Sequence, residues 1–263
     1  LTVAALAVLT PFVLVGLLLL NADRIVGAAV ARIPLAWEEQ LGELVVAQSI
    51  AEAGQWPEGE ATAILDDLTR RLLAHVDSPY AFRSYLIDNA QANAFAVPGG
   101  VVVVWTGLLR ETERPEELAG VLAHEMQHVV QRHTMRALVH GLGLRVALEI
   151  LLGGRGTLGD LAAQMVQQFG ALQFSRDQET QADLAAVEVL QAAGIDPTGL
   201  VTFFERMGSR AGEPAAILST HPPSAERAER IRDRLAASRS FAPLPYDWPA
   251  VRQEFEGAPG RGP

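Results

Sequence analysis

LAHEMQHVVQRH, residues 122–133, sets three histidines and one glutamate into an otherwise apolar, Ala- and Val-rich stretch. His124 and His128 are four residues apart. On an α-helix that is one turn with about 40° of offset, so both imidazoles leave the same face. Glu125 sits beside the first of them. His-Glu-x-x-His on a helix supplies two zinc ligands and a carboxylate that takes a proton from the attacking water. Zinc lowers the pKa of its water to roughly 7, and a glutamate next to the ligand reaches that proton where a shorter aspartate would not. The competing reading is a plain helix that carries histidines. Among Leu118, Val121, Leu122, Val129 and Val130, unpaired imidazoles would be costly.

The helix has a start signal at Glu113 to Glu117, with Pro115 near its first turn, and is expected to run to about residue 139. On a continuous helix His133 falls opposite His124, so it is not expected to ligate. The extended three-histidine pattern would need His at 134 and Gly at 131, where this chain has Thr134 and Gln131.

A catalytic zinc needs a third protein ligand and an open position. FSRDQETQADLAAVEVL, residues 174–190, offers Glu179 and Asp183 on one helical face. Glu179 can ligate, and Asp183 can accept the outward N–H of a ligand histidine and fix its tautomer. Two solvated carboxylates on an amphipathic helix fit the spacing equally well.

The rest of the chain sets the frame. With 263 residues and 49% hydrophobic against 20% charged residues, there is material for one sizeable core, or for one core plus a membrane anchor. A net charge of −10, with every basic residue an arginine, argues against a nucleic-acid partner. The absence of cysteine excludes disulfides and leaves His, Asp and Glu to hold any metal.

LTVAALAVLTPFVLVGLLLL, residues 1–20, carries no charge and is long enough to span a bilayer as a transmembrane or signal-anchor helix. Residues 21–36 read as a linker, 37–240 as one domain, and 241–263 as a Pro- and Gly-rich tail on the surface. Within the domain, helices are expected at 37–54, 61–76, 143–152, 158–173, 177–193, 197–209 and 224–238. Strands are expected at 84–88, 93–97 and 101–105, the last two pairing around Pro98-Gly99-Gly100. GGRGTLG, 153–159, reads as a flexible loop and a possible lid. The fold class is α+β, mostly helical with a small sheet.

His124-Glu125-x-x-His128 is followed by Ser175 through Asp183, preceded by Asn93-Ala94-Phe95-Ala96-Val97-Pro98-Gly99-Gly100, and closed by Ser219-Thr220-His221-Pro222-Pro223. These four ordered motifs resemble the membrane-associated zinc metallopeptidases of the HtpX and CAAX-prenyl-protease type, and no matched position departs from the pattern. The resemblance implies a zincin-like domain behind one N-terminal transmembrane helix and one Zn²⁺ per chain. By it, His124, His128 and Glu179 hold the metal, Glu125 is the general base, and Asp183 steadies a ligand histidine. His221 would stabilise the oxyanion or cap the metal at rest, and Arg176 would be an ion-pair partner holding the ligand helix. Asn93, Ala94, Phe95 and Ala96 would form a substrate edge strand, taking extended chains through main-chain hydrogen bonds.

The expected function is an endopeptidase on the bacterial inner membrane, facing the periplasm and cutting unfolded or membrane proteins. The alternative is a zinc-stabilised chaperone that binds such chains without cutting them. A binder has no use for Glu125. A merely structural helix bundle is the third reading.

Overall fold

The computed structural model describes Thr10 and residues 20–140, 172–209, 215–222, 225–235 and 240–255. Helices α1 (Ala22–Val30) and α2 (Leu35–Ala53) are separated at Pro34, and α3 (Glu60–Leu73) follows. Strands β1 (Arg83–Ile87), β2 (Ala94–Val97) and β3 (Val101–Trp105) come next, then α4 (Thr106–Glu111) and α5 (Pro115–Val130). Beyond these lie α6 (Arg176–Ala192), α7 (Thr198–Gly208), α8 (Ala216–Thr220), α9 (Ala225–Leu235) and α10 (Trp248–Gln253). The architecture is α+β, as the sequence leads one to expect.

The strand order is β1-β3-β2. β2 and β3 pair antiparallel, with Phe95 opposite Val103 and Ala96 opposite Val102, around a turn in which Gly99 and Gly100 take φ of +83° and +87°. β1 joins the other side of β3 in parallel. The unbroken valine run of β3 is explained by cover on both faces. Phe95, Val97, Val101 and Val103 pack with Leu41, Val45 and Val46 of α2. Ala94, Ala96, Val102 and Val104 belong to the larger core, with α3 and α5. The small side chains of Ala94 and Ala96 let α5 approach β2 closely.

α5 is buried from Pro115 to Val129. An extended Arg114 precedes Pro115, whose missing N–H costs nothing at a helix start, and Glu116 and Glu117 complement the helix dipole. α5 crosses α7 at backbone contact. A Cβ on Gly120 would lie 2.8 Å from the Leu200 backbone, and one on Gly199 would lie 2.4 Å from the Glu116 carbonyl oxygen. Only glycine fits at either place.

Several expectations need correction. The residues read as a linker contain the nine-residue helix α1. The helix through the histidines is not continuous to 139: it ends at Val130, and residues 133–140 form a separate helical segment after a break at Gln131 and Arg132. Three short helices, α4, α8 and α10, were not foreseen. The tail is not a surface segment over residues 241–255. Leu244, Trp248, Val251 and Phe255 are buried in the main core, the Leu244 N–H donates to Glu116 at 2.7 Å, and the Trp248 indole N–H donates to the Thr112 carbonyl at 3.1 Å.

Among the described residues no helix is long and apolar enough to cross a membrane. The expected span at 1–20 lies outside them except for Thr10 and Leu20. The expected helices at 143–152 and 158–173 and the loop at 153–159 lie outside them too, but for Leu172 and Gln173.

Candidate active site

Two helices and the end of a third, short one converge on a buried cluster. α5 supplies His124, Glu125 and His128, all fully buried. α6 supplies Glu179 and Asp183. Its start is fixed by a capping box, in which the Ser175 side chain accepts from the Gln178 N–H while the Gln178 side chain accepts from the Ser175 N–H. That start puts Glu179 on the first turn and Asp183 one turn on, both facing α5. His221 leaves the end of α8 and is buried beside them.

Nε2 of His128 lies 3.0 Å from Nε2 of His124, and Nδ1 of His221 lies 3.1 Å from the same atom. Glu179 brings Oε1 to 2.9 Å from His221 Nδ1 and 3.5 Å from His128 Nε2. One donor atom from each of His124, His128, Glu179 and His221 falls within a 4.8 Å cluster. Three imidazole nitrogens and a carboxylate gathered this tightly in a dry site direct lone pairs at one another. A divalent cation turns that repulsion into ligation, and a nitrogen-rich set with one carboxylate suits zinc.

The outward nitrogens of both helix histidines are occupied. Asp183 Oδ1 is 3.0 Å from Nδ1 of His124, and Nδ1 of His133 is 3.3 Å from Nδ1 of His128. The sequence reading set His133 aside on the premise of a continuous helix. The break at Arg132 overturns that premise and turns the ring back toward the cluster, though as a neighbour of His128 rather than a member of the ligand group.

Glu125 stands beside the cluster, with Oε1 3.3 Å from His221 Nε2. Neither of its oxygens makes a regular hydrogen bond. Burial pushes its carboxyl above the usual range, opposed by His221 and His124. Burial also drives His128 well below its usual value, with His124 adding to the effect, and lowers His133 to about 4. Burial acts against ionisation of Glu179, but His221 and Arg227 outweigh it and hold that carboxyl low. The same contest at Asp183 is decided by His124 and Arg227.

Arg227, on α9, was not picked out from the sequence. Its Nε and one terminal nitrogen donate to the two oxygens of Asp183 at 2.6 and 2.9 Å, and the other terminal nitrogen lies 2.7 Å from Glu179 Oε2. Arg176, given an ion-pair role in the sequence reading, is exposed on the first turn of α6 and makes no ion pair among the described residues. Arg227 makes that pair instead. Phe174 was also missed: its ring lies over His128 with centroids 3.9 Å apart.

β2 is an edge strand of the sheet and runs past this cluster. The backbone N–H of Ala96 faces the Glu125 carboxylate, and Asn93, Ala94, Phe95 and Ala96 are all buried. The start of the strand is tied to α8 by the Ile217 N–H, which donates to the Ala92 carbonyl at 3.1 Å.

Residues 57–235 match peptidase family M48. The chain belongs to that family. M48 peptidases use zinc, in keeping with the buried His124, His128, Glu179 and His221 group. Among M48 relatives, the beta-barrel assembly-enhancing protease of Yersinia pestis is 34% identical over 79% of this chain and 46% of its own length. Metalloprotease LoiP of Escherichia coli is 32% identical over 60% of this chain and 64% of its own length. The mitochondrial metalloendopeptidase OMA1 of Arabidopsis thaliana is 33% identical over 56% of this chain and 30% of its own length. The chain thus spans about half the length of the beta-barrel assembly-enhancing proteases it matches.

Proposed function

We propose that this chain is a zinc-dependent endopeptidase that hydrolyses peptide bonds of misfolded or membrane-associated proteins. The observation that carries the reading is the fully buried Glu125 carboxylate, which makes no regular hydrogen bond, beside a converged His124, His128 and Glu179. A carboxylate held dry with only the Ala96 N–H and the His221 ring facing it is poorly compensated until a proton comes to it during the reaction. Zinc, when bound, supplies a Lewis acid for the scissile carbonyl and acidifies the attacking water.

In this reading His124, His128 and Glu179 hold the metal, and Glu125 accepts the proton and passes it to the leaving amine. Asp183, clamped by Arg227, orients His124. His221 completes the group as a fourth donor, which describes a resting site, since catalysis requires an open position. With zinc bound, room for a substrate carbonyl would require His221 to withdraw, and the tie between the Ile217 N–H and the Ala92 carbonyl is what would give way. The freed edge of β2 then receives an extended chain by main-chain pairing, a mode indifferent to side chains. The resemblance to the beta-barrel assembly-enhancing proteases of Yersinia pestis and Escherichia coli supports protein substrates connected with β-barrel assembly.

Membrane association rests on the charge-free residues 1–20. It is also supported by the placement of the exposed large apolar side chains Ile25 and Leu35 on the segment that follows.

The test is cleavage of casein by the zinc-loaded chain beside Glu125→Gln. We expect cleavage by the parent, loss of at least about a hundredfold in the variant, abolition by chelator, and zinc retained by both proteins. A parent that holds zinc and cuts nothing, or a variant that cuts equally well, would sink the reading.

A further inference from the structure

On an uninterrupted helix His133 would sit about 140° around the axis from His128. Instead α5 ends at Val130, Arg132 takes a φ of +55°, and helix resumes at 133. That left-handed conformation is uncommon and costly for a residue other than glycine. It is held from outside: Arg132 donates to the Ile33 carbonyl at 2.9 Å and makes a close ion pair with Glu38. Glu38 is itself buried and accepts from the Tyr80 hydroxyl at 2.8 Å. The product of this braced corner is that the fully buried His133 ring faces His128, Nδ1 to Nδ1 at 3.3 Å.

We propose that His133 is a positioning residue for the metal site, its Nδ1 accepting the Nδ1–H of His128 so that the ligating lone pair falls on His128 Nε2. The inference rests on the reading of His128 as a ligand. The opposite polarity, with His133 donating, would leave the His128 proton on Nε2, the nitrogen 3.0 Å from His124 Nε2, and bar it from a metal. Each helix histidine then has its own outer acceptor: Asp183 behind His124 and His133 behind His128. The difference in kind is sensible. Glu125, Glu179 and Asp183 already place three carboxylates in the site, and an imidazole orients a ligand without adding a fourth.

The test is the zinc affinity of the 263-residue chain, by competition with a chromophoric chelator, beside His133→Asn and His133→Leu. The Asn amide oxygen can accept where Nδ1 does, whereas Leu fills the volume and accepts nothing. We expect His133→Asn within about threefold of the parent and His133→Leu weaker by about 10–100-fold, the usual effect of losing an outer partner. The chelated forms of the two variants should melt within a few degrees of each other.

Zinc held by His133→Leu as tightly as by the parent, or lost equally from both variants, overturns the proposal. A parent that binds no zinc sinks the metal-site reading itself, and this proposal with it. If His133→Leu does not fold, long-range ¹H–¹⁵N correlation on the zinc-loaded parent decides. Protons on Nδ1 of His128 and Nε2 of His133 are expected, and a proton on Nδ1 of His133 overturns the proposal.

Discussion

At the scale of single residues, the site concentrates ionisable groups where water is absent, so each must be neutral, paired or waiting for a ligand. Asp183 is paired, through the two-pronged grip of Arg227, and Glu125 is waiting. His133 is neutral, and that has a measurable consequence in the chelated protein. Burial lowers its pKa from 6.5 to about 4. The depressed value means that its contribution to stability is complete above pH 6.5 and is lost as pH falls toward 4. Through that window the cost grows to on the order of 3 kcal/mol, because the unfolded chain takes up the proton and the folded one does not. His133→Asn has no such proton. Urea unfolding of both chelated proteins between pH 7 and 4 should show the parent losing stability relative to the variant as pH falls. Parallel curves would mean that the ring is not held neutral by the fold. Arg227 and Phe174 escaped the sequence reading for a plain reason. One is an arginine among several in AERAERIRDRL, the other a lone aromatic before a cap, and neither local pattern says that it reaches a residue on another element.

At the scale of elements, period and punctuation carried much of what could be read. β2 and β3 were legible as a hairpin because Pro98-Gly99-Gly100 separates two runs of β-formers, and α6 because Glu179 and Asp183 fall one turn apart on an amphipathic run. What escaped was the end of α5. No Gly or Pro marks a stop between Val130 and Met135, and the break is braced by Ile33 and Glu38, which reach Arg132 from elsewhere in the chain, with Tyr80 behind Glu38. Short helices such as α8 lack the length for a period to show. The crossing of α5 and α7 was equally hidden, since a glycine within a helical run reads as a minor weakness. Its real role gives opposite signs at two glycines. Gly27 in α1 has nothing within 4 Å of an added Cβ, so Gly27→Ala should gain up to about 1 kcal/mol through helix propensity. Gly120→Ala gains the same propensity but drives a methyl to 2.8 Å from the Leu200 backbone, and overpacking of that kind costs about 1–3 kcal/mol. Denaturant midpoints of the two variants should therefore move in opposite directions. A stabilised Gly120→Ala would mean that α5 and α7 are further apart than described.

At the scale of the whole molecule, the chain returns to brace the helix that carries the site. Residues 241–255 looked dispensable because Pro and the scattered aromatics of FAPLPYDWPAVRQEF show no period, yet aromatics without a period are still apolar area that must go somewhere. Phe255 packs on Trp56 with ring centroids 4.9 Å apart, while Leu244 and Trp248 reach Glu116 and Thr112, at and just before the start of α5. Leu244, Val251 and Phe255 contribute about 1.5–3 kcal/mol each through burial, a sum comparable with the whole stability of a typical domain, about 5–15 kcal/mol. Deleting residues 241–263 should accordingly do more than trim a tail. It removes that apolar area, leaves the Glu116 carboxylate without the Leu244 N–H, and opens the start of α5. We expect the truncated chain to melt at least about 10 °C below the parent and to be cut by trypsin under conditions where the parent resists. Zinc added in excess should recover part of the loss, because binding to the folded state alone pulls the equilibrium toward it. A truncated chain that melts with the parent would show that α5 is anchored by α6 and α7 alone, and the closing segment would then have no part in holding the site.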